Sequence, residues 1–155
     1  MRRIGWPALA AGVCVAAGAA WALPSYNTPS KDRQAKTSFK EALAHQEAGR
    51  YAEAIDAYEQ SLKHDPRQAE TLSNLGFCHR KLKHYSRAVS AYKDALDINP
   101  DLAEAHEYLG EAYAEMGKLA LAEREYKTLL KLDPDEANEL RRKIDAQTAA
   151  PTKKP

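Results

Sequence analysis

Cysteine is nearly absent from this chain of 155 residues, which has two, Cys14 and Cys78. Cys14 lies inside an apolar N-terminal stretch, so loss of that stretch leaves Cys78 alone, and a lone cysteine makes no internal disulfide. Cys78 is expected to be a small buried hydrophobe, with a redox or intermolecular role as the alternative. Net charge is scarce too: the formal value is +1, and removal of Arg2 and Arg3 makes it −1. A near-neutral domain lacks the basic field that generic nucleic-acid binding needs, so no nucleic-acid partner is expected. Also missing are a nucleophile–base pair, a phosphate-cradling loop and a metal-ligand spacing. No catalytic residue, cofactor or metal site is therefore expected, and the chain is not read as an enzyme. Acidic side chains are plentiful but fall where surface helices put them.

What the chain has is a period. Pro66, Pro100 and Pro134 stand 34 residues apart, closing the phrases Lys63-His64-Asp65-Pro66, Asp97-Ile98-Asn99-Pro100 and Lys131-Leu132-Asp133-Pro134. A fixed period of this size marks one supersecondary unit copied and stacked. Aligned on those prolines, the copies are 35–68, 69–102 and 103–136, and their columns agree in chemistry. Small residues align as Ala42, Gly76, Gly110 and as Ala54, Ala88, Ala122; tyrosines as Tyr58, Tyr92, Tyr126; leucines as Leu62, Leu96, Leu130. Turn residues divide each copy at Gly49-Arg50-Tyr51, Lys83-His84-Tyr85 and Gly117-Lys118-Leu119. Apolar residues within a half recur at three and four, as at Leu72, Leu75, Cys78, His79 and Leu82, which is helical spacing. Each copy therefore reads as helix, turn, helix, with a proline ending the second helix. Small residues belong where the two helices cross, because axes about 8–10 Å apart leave no room for larger ones. The tyrosines and leucines are expected to fill the space between one pair and the next.

These columns resemble the tetratricopeptide repeat (TPR). Copy two matches that motif at Leu72, Leu75-Gly76, Ala88, Tyr92, Ala95 and Pro100. Copy three matches at Leu109-Gly110, Tyr113, Ala122, Tyr126 and Pro134, but has His106 where the motif has Trp or Leu, and Leu129 where a small residue is usual. Copy one is the weakest, with Ser38 and Glu41 replacing first-helix apolar residues. The resemblance implies an all-α, right-handed superhelical solenoid of three helix pairs. A capping helix over 137–147, with Leu140 and Ile144 inward and Arg141, Arg142, Lys143 and Asp145 toward water, completes it, and a tail at 148–155 reads as disordered.

At the other end, Met1-Arg2-Arg3 precedes an apolar run from Ile4 to Leu23, with Ala20-Trp21-Ala22 as a small-x-small cleavage site. Residues 1–22 are predicted to be a secretory signal peptide cleaved after Ala22, followed by a polar linker over 23–34. The alternative is an uncleaved inner-membrane anchor, since about 20 apolar residues span a bilayer. Either reading puts the repeats outside the cytoplasm, in a periplasm, with the membrane touched only through this segment.

By the TPR resemblance, the first helix of each copy lines a concave groove for a protein or peptide partner. The candidate groove residues are Phe39, Lys40 and Leu43, then Asn74, Phe77, Arg80 and Lys81, then Tyr108 and Glu111. Phe39, Phe77 and Tyr108 put an aromatic on each rung, and exposed aromatics anchor interfaces; packing of Phe39 and Phe77 as core is the alternative. Basic residues on the first two rungs face Glu104, Glu107, Glu111 and Glu115 on the third, a polarity that would orient a partner or be an ordinary solvated face. Asn74 can bond a peptide backbone through both donor and acceptor. TPR co-chaperones that grip a C-terminal carboxylate use two Lys, two Asn and an Arg at places held here by Phe39, Leu43, Asn74, Glu104 and Tyr108, so that role is excluded. His45 and His79 share a column, but stacked copies hold equivalent positions roughly 10 Å apart, too far for one ion, and a metal carrier stays a remote alternative. His64, His84 and His106 read as surface or edge residues. The function expected is an interaction module, an adaptor or assembly factor. A membrane-anchored scaffold, or a homo-oligomer using the poorly covered first repeat, is the alternative.

Overall fold

A computed structural model describes residues 30–149. Seven helices follow in order: α1 (Lys31–Glu47), α2 (Tyr51–His64), α3 (Ala69–Lys81), α4 (Tyr85–Ile98), α5 (Ala103–Glu115), α6 (Leu119–Leu132) and α7 (Pro134–Ala149). Helices α1–α2, α3–α4 and α5–α6 form pairs stacked on one another, and α7 lies across α5 and α6. Among the described residues there is no strand. This is the all-α stack of three pairs and a cap that the period implies. The signal-peptide reading of 1–22, the start of the linker and the end of the tail lie outside the described residues.

Three element boundaries differ from expectation, each for a local reason. Helix α1 takes in residues 31–34, assigned to the linker, because the Ser30 hydroxyl accepts from the Arg33 amide and caps the helix four residues early. Helix α7 begins at Pro134 rather than 137. The Asp133 carboxylate accepts from the amides of Asp135 and Glu136 at 3.0 and 3.1 Å, and a proline at the first helical position gives up no needed donor. At its far end α7 takes in Thr148 and Ala149, the first two residues of the expected tail. In the earlier copies the equivalent Asp65 and Asn99 accept from the amides of Arg67 and Asp101 at 3.2 and 3.3 Å. The residue before each proline thus stops one helix and shapes the turn into the next.

The turn inside each pair is one device used three times. The amide of Arg50 bonds the carbonyl of His45 at 2.9 Å and that of Gly49 the carbonyl of Gln46 at 2.9 Å. His84 and Lys83, then Lys118 and Gly117, repeat both bonds. This is a Schellman closure, which needs a left-handed residue just past the helix. Gly49 (φ 72°) and Gly117 (φ 71°) adopt it freely, but in copy two the residue is Lys83 (φ 62°).

Burial follows the columns with one break. Ala42, Ala54, Ala88, Ala122, Tyr58 and Tyr92 are fully buried. At Gly76 a Cβ would lie 2.6 Å from the Tyr92 ring. In copy three the tyrosine no longer fills the equivalent place. A Cβ on Gly110 would meet Leu140 of α7 at 2.6 Å, so the cap's leucine takes that place and Tyr126 turns outward, half-buried beneath the Arg141 guanidinium at 4.0 Å. The leucine column also loosens at this end: Leu130 is 44% exposed where Leu62 and Leu96 are half-buried, while Leu129, in the column that Ser61 and Ala95 bury in the other copies, packs with Leu140 and Ile144. Arg141, expected to face water, also pairs with Glu123 at 2.6 Å. Cys78 is a buried hydrophobe whose thiol contacts the Gln46 carbonyl oxygen, shared with the Tyr58 hydroxyl, and burial pushes it up to about 12.

Replacing Lys83 by glycine is expected to raise stability by about 1 kcal/mol, since it relieves a left-handed side chain. Gly76→Ala is expected to cost about 1–3 kcal/mol by forcing a methyl into the Tyr92 ring. Urea unfolding monitored by circular dichroism checks both, through midpoints that move while the slope stays constant.

Candidate functional site

The inner face is built by α1, α3 and α5, with α7 closing one end. On α1, Phe39 and Leu43 are half-buried and Lys40 is exposed. With Lys36, Gln68, Glu70 and Thr71 they line a recess of about 670 Å³ between α1 and the start of α3. Phe39 packs on the Tyr58 ring at 5.9 Å. A second recess of about 490 Å³ lies between α3, α5 and α7, with Phe77, Lys81, Tyr108 and Lys143 in its wall.

The expected aromatic stripe is therefore split. Phe77 and Tyr108 touch at 5.2 Å between ring centres, and Tyr108 reaches the buried Tyr92 at 6.1 Å. Phe39 belongs to the other recess, and Phe77 meets the first copy through Tyr51 at 6.2 Å instead. Phe39 and Phe77 both pack against neighbours and keep part of a ring open. Asn74, on α3 between the two recesses, is only 6% exposed. Burial, then the Glu104 carboxylate, pushes the Tyr108 phenol above its ordinary range.

Charge on this face is turned inward. Arg80 is 7% exposed and Glu111 6%, and the two pair at 2.5 Å. A second Arg80 nitrogen donates to Glu115 at 2.5 Å, and the guanidinium lies 5.5 and 5.8 Å from the Phe77 and Tyr108 ring centres. Lys143 of α7 donates to Glu111 and, at 3.3 Å, to Glu107. Burial and neighbouring Glu111 push the Glu107 carboxyl above the ordinary carboxylate range, against the opposing pull of Lys143. Three of the four third-rung glutamates are thus neutralised by the protein's own cations, which reduces the polarity expected of this face. Lys81 remains exposed, its ammonium 5.0 Å from the Phe77 ring.

Sequence reasoning placed Lys143 in water and so missed its part in this face. The signal was its position next to Ile144, whose burial carries one flank of α7 over α5. His106 is also corrected: expected at the surface or an edge, it is 8% exposed. His45 accepts from Arg50 at 2.9 Å, while His79 lies 5.9 Å from the His84 ring. Among the described residues no group of three or more His, Cys, Asp or Glu side chains could hold a metal ion, and no helix is long and apolar enough to cross a membrane.

Two family models, both described as tetratricopeptide repeat, match residues 39–103 and 79–144. Among solved structures, the first TPR of Spaghetti (RPAP3) bound to the HSP90 peptide SRMEEVD is 28% identical, with a TM-score of 0.69 over 76% of this chain and 96% of that one. The first TPR domain of human RPAP3 is also 28% identical, with a TM-score of 0.70 over 75% of this chain and 93% of that one. The Arabidopsis OM64 TPR domain, at 15% identity, has a TM-score of 0.71 over 75% and 98% and shares the fold. No curated protein matches this sequence.

If Arg80 holds the fold and Lys81 does not, their truncations separate. Arg80→Ala is expected to cost about 3 kcal/mol by leaving a buried carboxylate short of a partner. Lys81→Ala is expected to stay within about 0.5 kcal/mol of wild type. Thermal and urea unfolding of the two variants side by side checks this.

Proposed function

We propose that this chain, which belongs to the tetratricopeptide repeat family, holds a peptide segment of a protein partner on its inner face. The observation that carries the reading is the pair of open recesses on that face. Each has an aromatic floor (Phe39 in one, Phe77 with Tyr108 in the other), and the nearly buried Asn74 stands on α3 between the segments that line them. Half-open rings bury much apolar area at little entropic cost, and an amide side chain can pair with an extended backbone through donor and acceptor together. The peptide-bound Spaghetti domain, 28% identical, supports an interaction role for a fold of this kind. Its HSP90 peptide is not the ligand proposed here. The residues facing an incoming acidic terminus would be Phe39, Leu43, Asn74, Glu104 and Tyr108, of which Glu104 is itself an anion.

With Arg80 and Glu111 occupied by each other, recognition falls to Phe39, Lys40, Leu43, Asn74, Phe77, Lys81 and Tyr108. The proposed work is that of an adaptor or assembly factor rather than an enzyme. Its location outside the cytoplasm rests on the N-terminal sequence alone, and a mature mass beginning at Leu23 would support it over an anchored scaffold. The groove is tested with the tagged protein and an Asn74→Ala/Phe77→Ala variant of unchanged helicity, both used to capture proteins from an envelope extract. A partner captured by the wild type and lost from the variant is the expected result. Partners retained unchanged would overturn the groove reading.

A further inference from the structure

His106 makes contacts that only one of its protonation states can satisfy. Its Nδ1 lies 2.8 Å from Oε2 of Glu125 on α6, and its Nε2 lies 2.9 Å from the carbonyl oxygen of Pro100, in the loop before α5. Both partners are acceptors. A neutral imidazole has one N–H to donate; the imidazolium has two. The pair also stands out within the repeat. One period earlier, the positions of His106 and Glu125 are held by Leu72 and Ala91, and one period before that by Ser38 and Ala57. Leu72 and Ala91 line the corresponding recess of copy two, on the outer side of α3 and α4. A polar, ionisable pair in copy three therefore stands where copy two has two uncharged, apolar residues.

We propose that His106 is a pH-dependent clasp, tying the loop before α5 to α6 while doubly protonated and releasing that junction as pH rises. The surroundings fit. Facing the ring are Glu125, Arg124 and Lys127 from α6, Lys93 and Asp97 from α4, and Asp101 from the loop. The Glu125 carboxylate favours the charged ring most strongly; burial opposes it, and the Pro100 carbonyl supports it, leaving His106 above the ordinary histidine range. A group raised on folding contributes its full stabilisation below its unfolded midpoint, near about 6.5, and loses it as pH climbs through the folded one. The clasp is thus closed in mildly acidic solution and open in alkaline solution.

The test compares the wild type with His106→Leu/Glu125→Ala, which restores the residues that copy two carries at these positions, and with Glu125→Gln. Urea unfolding is followed from about pH 5 to about pH 8.5, and the histidine ring protons are titrated by NMR in the wild type. Expected is a His106 midpoint above about 6.5, lowered by Glu125→Gln. The wild-type folding constant should also fall with pH relative to the double variant, about tenfold for each unit by which that midpoint is raised. His79, which burial and then Arg87 and His84 hold below the ordinary range, gives a slope of opposite sign but is present in both proteins and cancels. A His106 midpoint at or below about 6.5, or equal pH slopes in wild type and double variant, overturns the proposal.

Discussion

The stack rests on helices that approach so closely that nothing larger than alanine fits between them. Ala42, Ala54, Ala88 and Ala122 are sealed completely, and at Gly76 even a methyl would strike the Tyr92 ring. Close packing of this kind fixes the crossing within each pair. It also fixes where a large residue must go: Tyr92 lies against Gly76 of its partner helix. Because the small columns recur in every copy, each pair offers the next a similar surface, and a solenoid follows rather than a globule.

A series of like units must end, and the end forces changes that the interior copies do not need. Among the described residues a single helix, α7, follows copy three instead of a fourth pair. Leu140 of α7 enters the place beside Gly110, Tyr126 is turned out under Arg141, and Leu130 is left exposed. The same helix brings Lys143 over the inner face, where it meets Glu107 and Glu111. A buried carboxylate without a partner costs several kcal/mol, so Glu111, reached from one side by Arg80 and from the other by Lys143, joins α3, α5 and α7.

The repeat architecture was legible in the sequence because a period is redundant information: prolines, small columns and turn residues recur together, and any one of them predicts the others. Boundaries were less legible. Ser30 and Asp133 decide where α1 and α7 begin through single side-chain bonds, and a polar residue ahead of a helix does not show in advance whether it caps. The site was partly legible. Spacing placed Arg80 and Glu111 on the inner face, but spacing along one helix says nothing of what a second helix brings opposite. Two such residues 31 apart in sequence look like separate ligands for a partner until stacking sets them against each other. His106 was misread for the same reason, since its partners lie on α6 and in the preceding loop.

That inward turning of charge limits the kind of partner the inner face can take. Arg80, Glu111 and Glu107 already have counter-ions at short range, and a ligand competing for them would have to break pairs that are desolvated at no further cost to the folded chain. What stays uncommitted is mainly apolar and uncharged: the half-open rings of Phe39, Phe77 and Tyr108, Leu43 beside the first of them, and the amide of Asn74. Lys40 and Lys81 stand at the rim, where charge shapes approach and orientation more than affinity. On the proposed reading, a groove of this composition would gain most from a segment that lays apolar side chains into two separate recesses and leaves its backbone between them for an amide to bond. Its selectivity on that reading would follow from the spacing of those recesses, one formed within the repeats and the other closed by α7.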